Sequence, residues 1–572
     1  MGSLWSILQI LGFAAVFTFA TAGPIEGRVK RKSFLKQVDN STWVIGNGIW
    51  NVTQGRQYAT KLWYKNKDLV DEAVGHYVSY NGAASDLNWT SAAIVDEGSD
   101  YINVRFTARE GDFHWVIYDD LAGAYQYFVN HALPVLGEFR TLWRLDNETF
   151  PNGRTNERDG PLPPLSEYRA ATNVQDETWQ KADGTFLTKY DWSAFLREVD
   201  FYGVYGNEVG SWYFNPGKDY YNGNHLKQEL MIHRESRTGD AVQLNMIHGT
   251  HFQALSQDAF ADGKTWGPWL WYLNDGSKED AARRAKEEER AWPYKWFNNV
   301  AYQSRGSIWG KLVLSDGRPA AGAAVFLGDN NSDKTTLDQG KDYYYTTYAD
   351  EDGTFNIGNV RSGTYGLYAW SNGGKLADVA TSVIQNDVTI SKGKYTDLKT
   401  ITWKVTDRKS RIFQLGDFDR QTTGFRGSTP PYGHGRIATC PSNLTYTIGI
   451  SKPSDWCFGQ SSLGTNSIVF PVSSIPESAA SAKLIVSLAG FSSGSSADIL
   501  LNGQKLGNIT TGSLSTSQDT YRGATRAGEW YLLEFLVKKE VLKTGENRVE
   551  FTVTRSTQWR GWLWDSILLE WV

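Results

Sequence analysis

Along most of the chain, hydrophobic and polar residues alternate with a period of two. Ile102, Val104 and Phe106 interleave with Asn103, Arg105 and Thr107, and Val549, Phe551 and Val553 repeat the pattern near the C-terminus. Such spacing puts one side of each segment in a core and the other in water, as half-buried antiparallel strands require. One stretch breaks the rhythm. Ser277 to Ala291 (SKEDAARRAKEEERA) is polar and helix-forming, with Ser277 and Asp280 at capping-box spacing and Pro293 beyond its end. It predicts a helix, polar almost all round, that connects two domains.

The region after that helix, Gly306 to Trp370, reads as short strands, with Asp316-Gly317 and Asp352-Gly353 predicting hairpin turns. About 100 residues up to the next boundary suit an immunoglobulin-like sandwich. From about Phe413 onward, AKLIVSLAG and ADILLNG alternate again, which fits a larger sandwich of the jelly-roll type. The expected fold class is therefore all-β: a β-sandwich over 23–300, a small sandwich over 301–406 and a jelly roll over 407–572.

Composition adds limits. With 572 residues, 40% hydrophobic and 24 Trp, there is ample material for packed cores. A net charge of −5 gives no general reason to bind nucleic acid. Beyond the N-terminus no apolar run reaches the roughly 18 residues of a membrane span. Leu4 to Ala20 is mostly apolar and uncharged, and Ala20-Thr21-Ala22 offers small residues for cleavage, so 1–22 reads as a secretory signal peptide. It lacks a basic n-region, and a short membrane anchor is the alternative. Sequons at Asn40, Asn51, Asn88, Asn147, Asn330, Asn443 and Asn508 agree with a secreted, glycosylated protein. Lys30-Arg31 is either a dibasic processing site or a charged flank. Outside the cell, Cys440 and Cys457 could close one short disulfide loop; their spacing excludes a CxxC site.

No phosphate loop, Rossmann fingerprint, HExxH or nucleophile elbow stands in a fitting context. Secreted all-β domains rich in aromatics often bind sugars, although most such rings are simply core. The order of motifs carries the reading further. GEFRTLWRLD (137–146), TKY (188–190), GNHLKQEL (223–230), MIHGTHF (246–252) and GKTWGPWLWYLNDG (263–276) follow one another, with YGLYAW in the next module. In this the chain resembles the rhamnogalacturonan lyases of polysaccharide lyase family 4, over nearly its whole length after the signal. The resemblance implies a β-sandwich catalytic domain, a fibronectin-III-like domain and a jelly-roll carbohydrate-binding-like domain. It also implies β-elimination within the rhamnogalacturonan I backbone of pectin, cutting between rhamnose and O4 of galacturonate.

By that resemblance Lys189 is the base, His251 the acid or a partner in proton transfer, and Arg140 a substrate-binding arginine. His248, three residues before His251 on an expected strand, should face the other way and remains the competing histidine. Arg522 is expected to reach the cleft from the last domain, with Arg526 as its competitor. Lys181, before a turn, reads as a solvated loop residue. No redox cofactor is expected. Asp119-Asp120 would be a place for a structural calcium, although scattered carboxylates more often solvate a surface. The proline-rich 156–172 segment is expected to form a loop at the rim of the cleft, and a monomer is expected. A binding protein on the same scaffold that has lost activity is disfavoured because Lys189, His251 and Arg140 are all present. A glycoside hydrolase with paired carboxylates has no motif in its favour.

Overall fold

The computed structural model describes residues 32–572, apart from 83–85, 250, 253–257, 332, 407–409, 431–432, 513, 515–516 and 525. The expected signal peptide and Lys30-Arg31 lie outside the described residues. The chain is all-β. Two nine-stranded sheets form the first region. Strands Gly75–Tyr80, Phe139–Leu145 and Ala241–His248 lie side by side in the first sheet, and Thr265–Asn274, Gly123–Asn130 and Gly111–Tyr118 run through the middle of the second. Between the sheets packs a core of tryptophans. Trp143 of the first sheet stacks on Trp271 of the second at 5.0 Å between ring centroids, and Trp50 meets Trp271 edge-on at 5.3 Å. Rings of this size remove the most apolar surface from water per residue.

The helix Lys278–Ala291 begins where the sequence predicts, with the Ser277 hydroxyl accepting from the Asp280 N–H. It is not solvated all round. Ala281, Ala285 and Glu288 are buried against the outer face of the second sheet. The buried Glu288 carboxylate accepts from the Tyr125 hydroxyl at 3.0 Å and the Tyr294 hydroxyl at 2.6 Å, and pairs with Arg284 at 2.8 Å. This connector is therefore docked.

A three-stranded and a four-stranded sheet make the second region, from Arg305–Leu314 to Tyr395–Trp403. Asp316-Gly317 and Asp352-Gly353 do form tight turns, with Gly317 and Gly353 at φ of 90° and 84°. They do not close hairpins within one sheet. Strands Arg305–Leu314 and Ala324–Asp329 belong to opposite sheets, as do Tyr345–Tyr348 and Thr354–Arg361, so each turn carries the chain across the sandwich. The region is fastened to the first through the buried Asp219, which takes Arg361 at 2.9 Å and Arg305 at 3.1 Å. Burial opposes its charge, but the two guanidiniums hold the Asp219 carboxyl below its usual range.

The third region packs two five-stranded sheets around Trp456, Trp562 and Trp564. Cys440 and Cys457 are joined in a disulfide at its edge. The Asp119-Asp120 pair holds the first described residues rather than standing as a bare acidic patch: Asp119 accepts from the Lys32 and Ser33 N–H groups, and Asp120 pairs with the Lys32 ammonium at 2.7 Å.

Candidate active site

Alternation on Phe139–Leu145 decides what faces what. Thr141, Trp143 and Leu145 point into the aromatic core, which leaves Arg140, Leu142 and Arg144 on the outer face of the first sheet. Leu142 packs there with Val242, Leu244 and Met246 of the adjacent strand. This outer face is covered as well. Tyr190, Phe252 and, from the third region, Ala524 lie over it. The Arg140 guanidinium donates to the Ser79 hydroxyl at 3.0 Å and stands 3.4 Å from Glu138.

Lys189 opens a single 3-10 turn, Lys189–Trp192, directly after strand Phe186–Thr188, and Thr188 caps that turn by accepting from the Tyr190 N–H. The Lys189 ammonium lies 5.3 Å from the centre of the Tyr190 ring. Burial pushes its pKa below the usual lysine value, against the opposing charges of Glu177 and Asp176. His251 is buried with its ring 6.5 Å from that of Tyr190, and its Nε2 lies 4.0 Å from Glu138. Burial, with the nearby charges of Lys189, Arg140 and Arg522, holds its pKa well below that of an ordinary histidine, so the resting imidazole is neutral.

The third region supplies the last cation. Arg522 donates to Asp176 at 2.9 Å and to the backbone carbonyl of His251, and its guanidinium lies 4.8 Å from the Tyr190 ring centre. Tyr190 also donates to Asp176, at 2.9 Å. Although burial opposes the Asp176 charge, Arg522 and the Tyr190 hydroxyl keep this carboxyl below its ordinary range. Arg526, the competing residue, instead forms a two-pronged pair with Glu198 at 2.9 and 3.0 Å. Lys181 stays on its turn, within 3.6 Å of Glu167.

The two histidines of MIHGTHF part company through a β-bulge. Phe139 pairs with His248 but Arg140 pairs with Met246, so Ile247 is the extra residue. Directly opposed residues share a face, and His248 is thereby turned to the Phe139 side. It packs edge-on against Phe260 and lies 3.7 Å from Asp258. Gly340 of the second region presses on it so closely that a Cβ there would stand 2.2 Å from the ring. His248 belongs to a domain junction and not to the cluster around Lys189.

A family model described as polysaccharide lyase family 4, domain II matches residues 315–398, and another described as domain III of that family matches 411–569. The chain is 28% identical to a rhamnogalacturonate lyase of Dickeya dadantii over 549 residues, covering 90% of this chain and 91% of that protein. The chain is a polysaccharide lyase, with domains II and III of family 4 in its second and third regions. Fungal relatives are more distant. A probable rhamnogalacturonate lyase B of Aspergillus flavus is 23% identical, across 61% of this chain and 58% of its own. A probable rhamnogalacturonate lyase C of Aspergillus oryzae is 24% identical, across 56% and 51%. The chain thus spans little more than half the length of these two.

Sequence reasoning passed over several members of this lyase's cluster. Asp176 and Tyr190 tie Lys189 to Arg522. His233 and Glu235 also act on Lys189 or feel its charge, with 3.9 Å between the imidazole Nε2 and the carboxylate. Burial drops the His233 pKa to about 4, while His233 and Arg144 help to pull Glu235 down to about 2. A signal for His233 was present: Met231-Ile232-His233 repeats the Met246-Ile247-His248 triplet. The 156–172 segment is also more structured than a rim loop. It contains strand Asp159–Pro161 and helix Leu165–Ala170, and Tyr168 meets Trp179 edge-on.

Proposed function

We propose that this polysaccharide lyase is a secreted rhamnogalacturonan endolyase. It cuts the rhamnose-(1→4)-galacturonate bond of rhamnogalacturonan I by β-elimination and leaves an unsaturated galacturonate at the new non-reducing end. The observation that carries this reading is the convergence in one cluster of Lys189, His251 and Arg140 with Arg522 from another domain. The names of the relatives from Dickeya and Aspergillus support the substrate, and none of the seven sequon asparagines is buried, in keeping with secretion and glycosylation.

The chemistry follows from charge. A uronate carboxylate enters between Arg140 and Arg522, whose guanidinium forks suit a two-pronged pair. Neutralising that carboxylate makes the adjacent C5 proton more acidic. Lys189, biased by burial toward its neutral amine, removes the proton. Electrons of the C5–H bond form the C4=C5 double bond as the C4–O4 bond breaks, and O4 must receive a proton. The negative charge of the substrate raises the proton affinity of the neutral His251, so His251 can take up a proton and deliver it to O4. Nothing is oxidised or reduced overall, so the scheme calls for no redox cofactor.

Incubation with debranched rhamnogalacturonan I, followed by ultraviolet absorbance of unsaturated uronate ends, tests the proposal, with homogalacturonan as the control polymer. The expected result is a rise on the first polymer alone. Reducing ends without that absorbance would instead mean hydrolysis, and an equal rise on both polymers would remove the claimed backbone preference.

A further inference from the structure

The three regions meet around a cavity of about 340 Å³ that none of Lys189, His251, Arg140 and Arg522 lines. Asn224 and Leu226 come from the first region, Tyr368 and Trp370 from the second, and Glu529 and Trp530 from the third. Its wall is built firmly. Asn224 donates to the Thr336 hydroxyl at 2.8 Å across the first junction. The Arg420 guanidinium is sandwiched between Trp370 and Trp530, 4.4 and 4.0 Å from their ring centres, and donates to Ser382 at 2.9 Å. A volume in this range suits one or two sugar rings.

Two features of the lining suggest a ligand. Trp530 is only half-buried, and an indole offers the flat apolar surface on which the C–H face of a pyranose can lie. Glu529 is 2% exposed, and while Thr335 acts on its carboxyl through a hydrogen bond, its Oε2 has no hydrogen-bond partner among the described residues. A buried carboxyl oxygen left without a partner costs free energy unless something else meets it. We propose that this three-domain cavity is a saccharide site, separate from the active cleft, that takes one or two neutral sugar residues with a ring face on Trp530 and a hydroxyl on Glu529.

Charge argues for a neutral sugar rather than a uronate. Lys334 is engaged with Asp258 at 2.5 Å, and Arg420 with its two rings and Ser382. Asp333 and Glu529 line the cavity, and the half-buried Asp338 and the buried Asp519 act electrostatically on Glu529. Burial, with the Asp338 charge, raises the Glu529 pKa well above the usual carboxylate range, which leaves a carboxyl able to donate to a hydroxyl as well as accept from one. An anion would face the Asp333 carboxylate, and the cations lining the cavity, Lys334 and Arg420, are already engaged.

The test is binding to the full chain, measured by saturation-transfer NMR and calorimetry, with D-galactose, L-arabinose, L-rhamnose and D-galacturonate as probes. At least one neutral sugar should bind the parent protein, bind Lys189→Ala equally well, and lose tenfold or more in affinity with Trp530→Ala. Ile384→Arg blocks the cavity from an exposed position, so it tests the site without disturbing a core, and it should weaken binding likewise. The proposal is overturned if no neutral sugar binds the parent protein, or if galacturonate binds more tightly. Binding that survives Trp530→Ala and Ile384→Arg, or that disappears in Lys189→Ala, overturns it too. Elimination assayed in the same samples keeps the two readings apart, since Trp530→Ala should retain backbone cleavage.

Discussion

The two faces of the first sheet use the same strands for opposite purposes. On Phe139–Leu145, one side chain set joins a dry stack of tryptophans, and the other presents Arg140 and Arg144 to a covered but polar layer. The inner face is filled mostly from its own domain, with Tyr343 of the second region packed against its margin. The outer face is closed by Phe252 and the Lys189–Trp192 turn, and by Ala524 and Arg522 from a region more than 270 residues further along the chain. The strand period itself separates a packed face from one that carries cations. One residue of shift moves a side chain from one of these faces to the other, and the bulge at Ile247 turns His248 away from the Lys189 cluster and onto the packed side.

Substitutions on either face should break or sharpen that separation. The largest effect is expected on the outer face. Lys189→Ala should lower turnover on the order of 10³-fold, with an unchanged circular dichroism spectrum and melting temperature; substantial turnover in that variant would remove Lys189 from the mechanism. On the inner face, Trp143→Ala should cost about 3–5 kcal/mol of stability, read from denaturant midpoints, while its folded fraction keeps its specific activity. A specific activity that falls along with stability would show that the faces are not separate.

Arg140→Lys should come next, with a loss of about tenfold in kcat/KM and little change in stability, because the charge stays but the planar fork goes. Unchanged kinetics would place Arg140 outside the substrate's reach. The smallest effect concerns pH. Only the neutral amine is a base, so kcat/KM should rise as pH passes up through the Lys189 pKa, which burial places below the ordinary lysine value. The Glu177 charge opposes that lowering. Glu177→Gln should therefore move the rising limb to lower pH, and an upward movement would contradict this electrostatic account.

Much of this was legible in the chain. Period-two alternation announced the sheets, and Ser277 with Asp280 marked the helix start. The order of motifs around Lys189, His251 and Arg140 pointed to residues that the fold brings together with Arg522. What escaped depends on partners distant in sequence. Alternation on one strand cannot reveal a bulge, because the extra residue exists only relative to Phe139–Arg140 on the neighbour. The Asp-Gly pairs specify a tight turn, but whether the strands they join share a sheet is set by packing across the sandwich. Helix Lys278–Ala291 buries little beyond Ala281 and Ala285, too slight an apolar stripe to distinguish a docked helix from a solvated one. Asp176 matters through Arg522, which lies 346 positions away in the chain.

Lys189 is proposed to supply the base at a site completed by another domain. Chemical rescue tests this most directly: elimination by Lys189→Ala on rhamnogalacturonan I, measured with added primary amines of increasing basicity. The predicted result is a near-silent variant whose production of unsaturated uronate is restored in proportion to the neutral amine present, with a slope that follows amine basicity. A variant as active as the parent without added amine, or a silent one that no amine restores although it still binds the polymer, would contradict it.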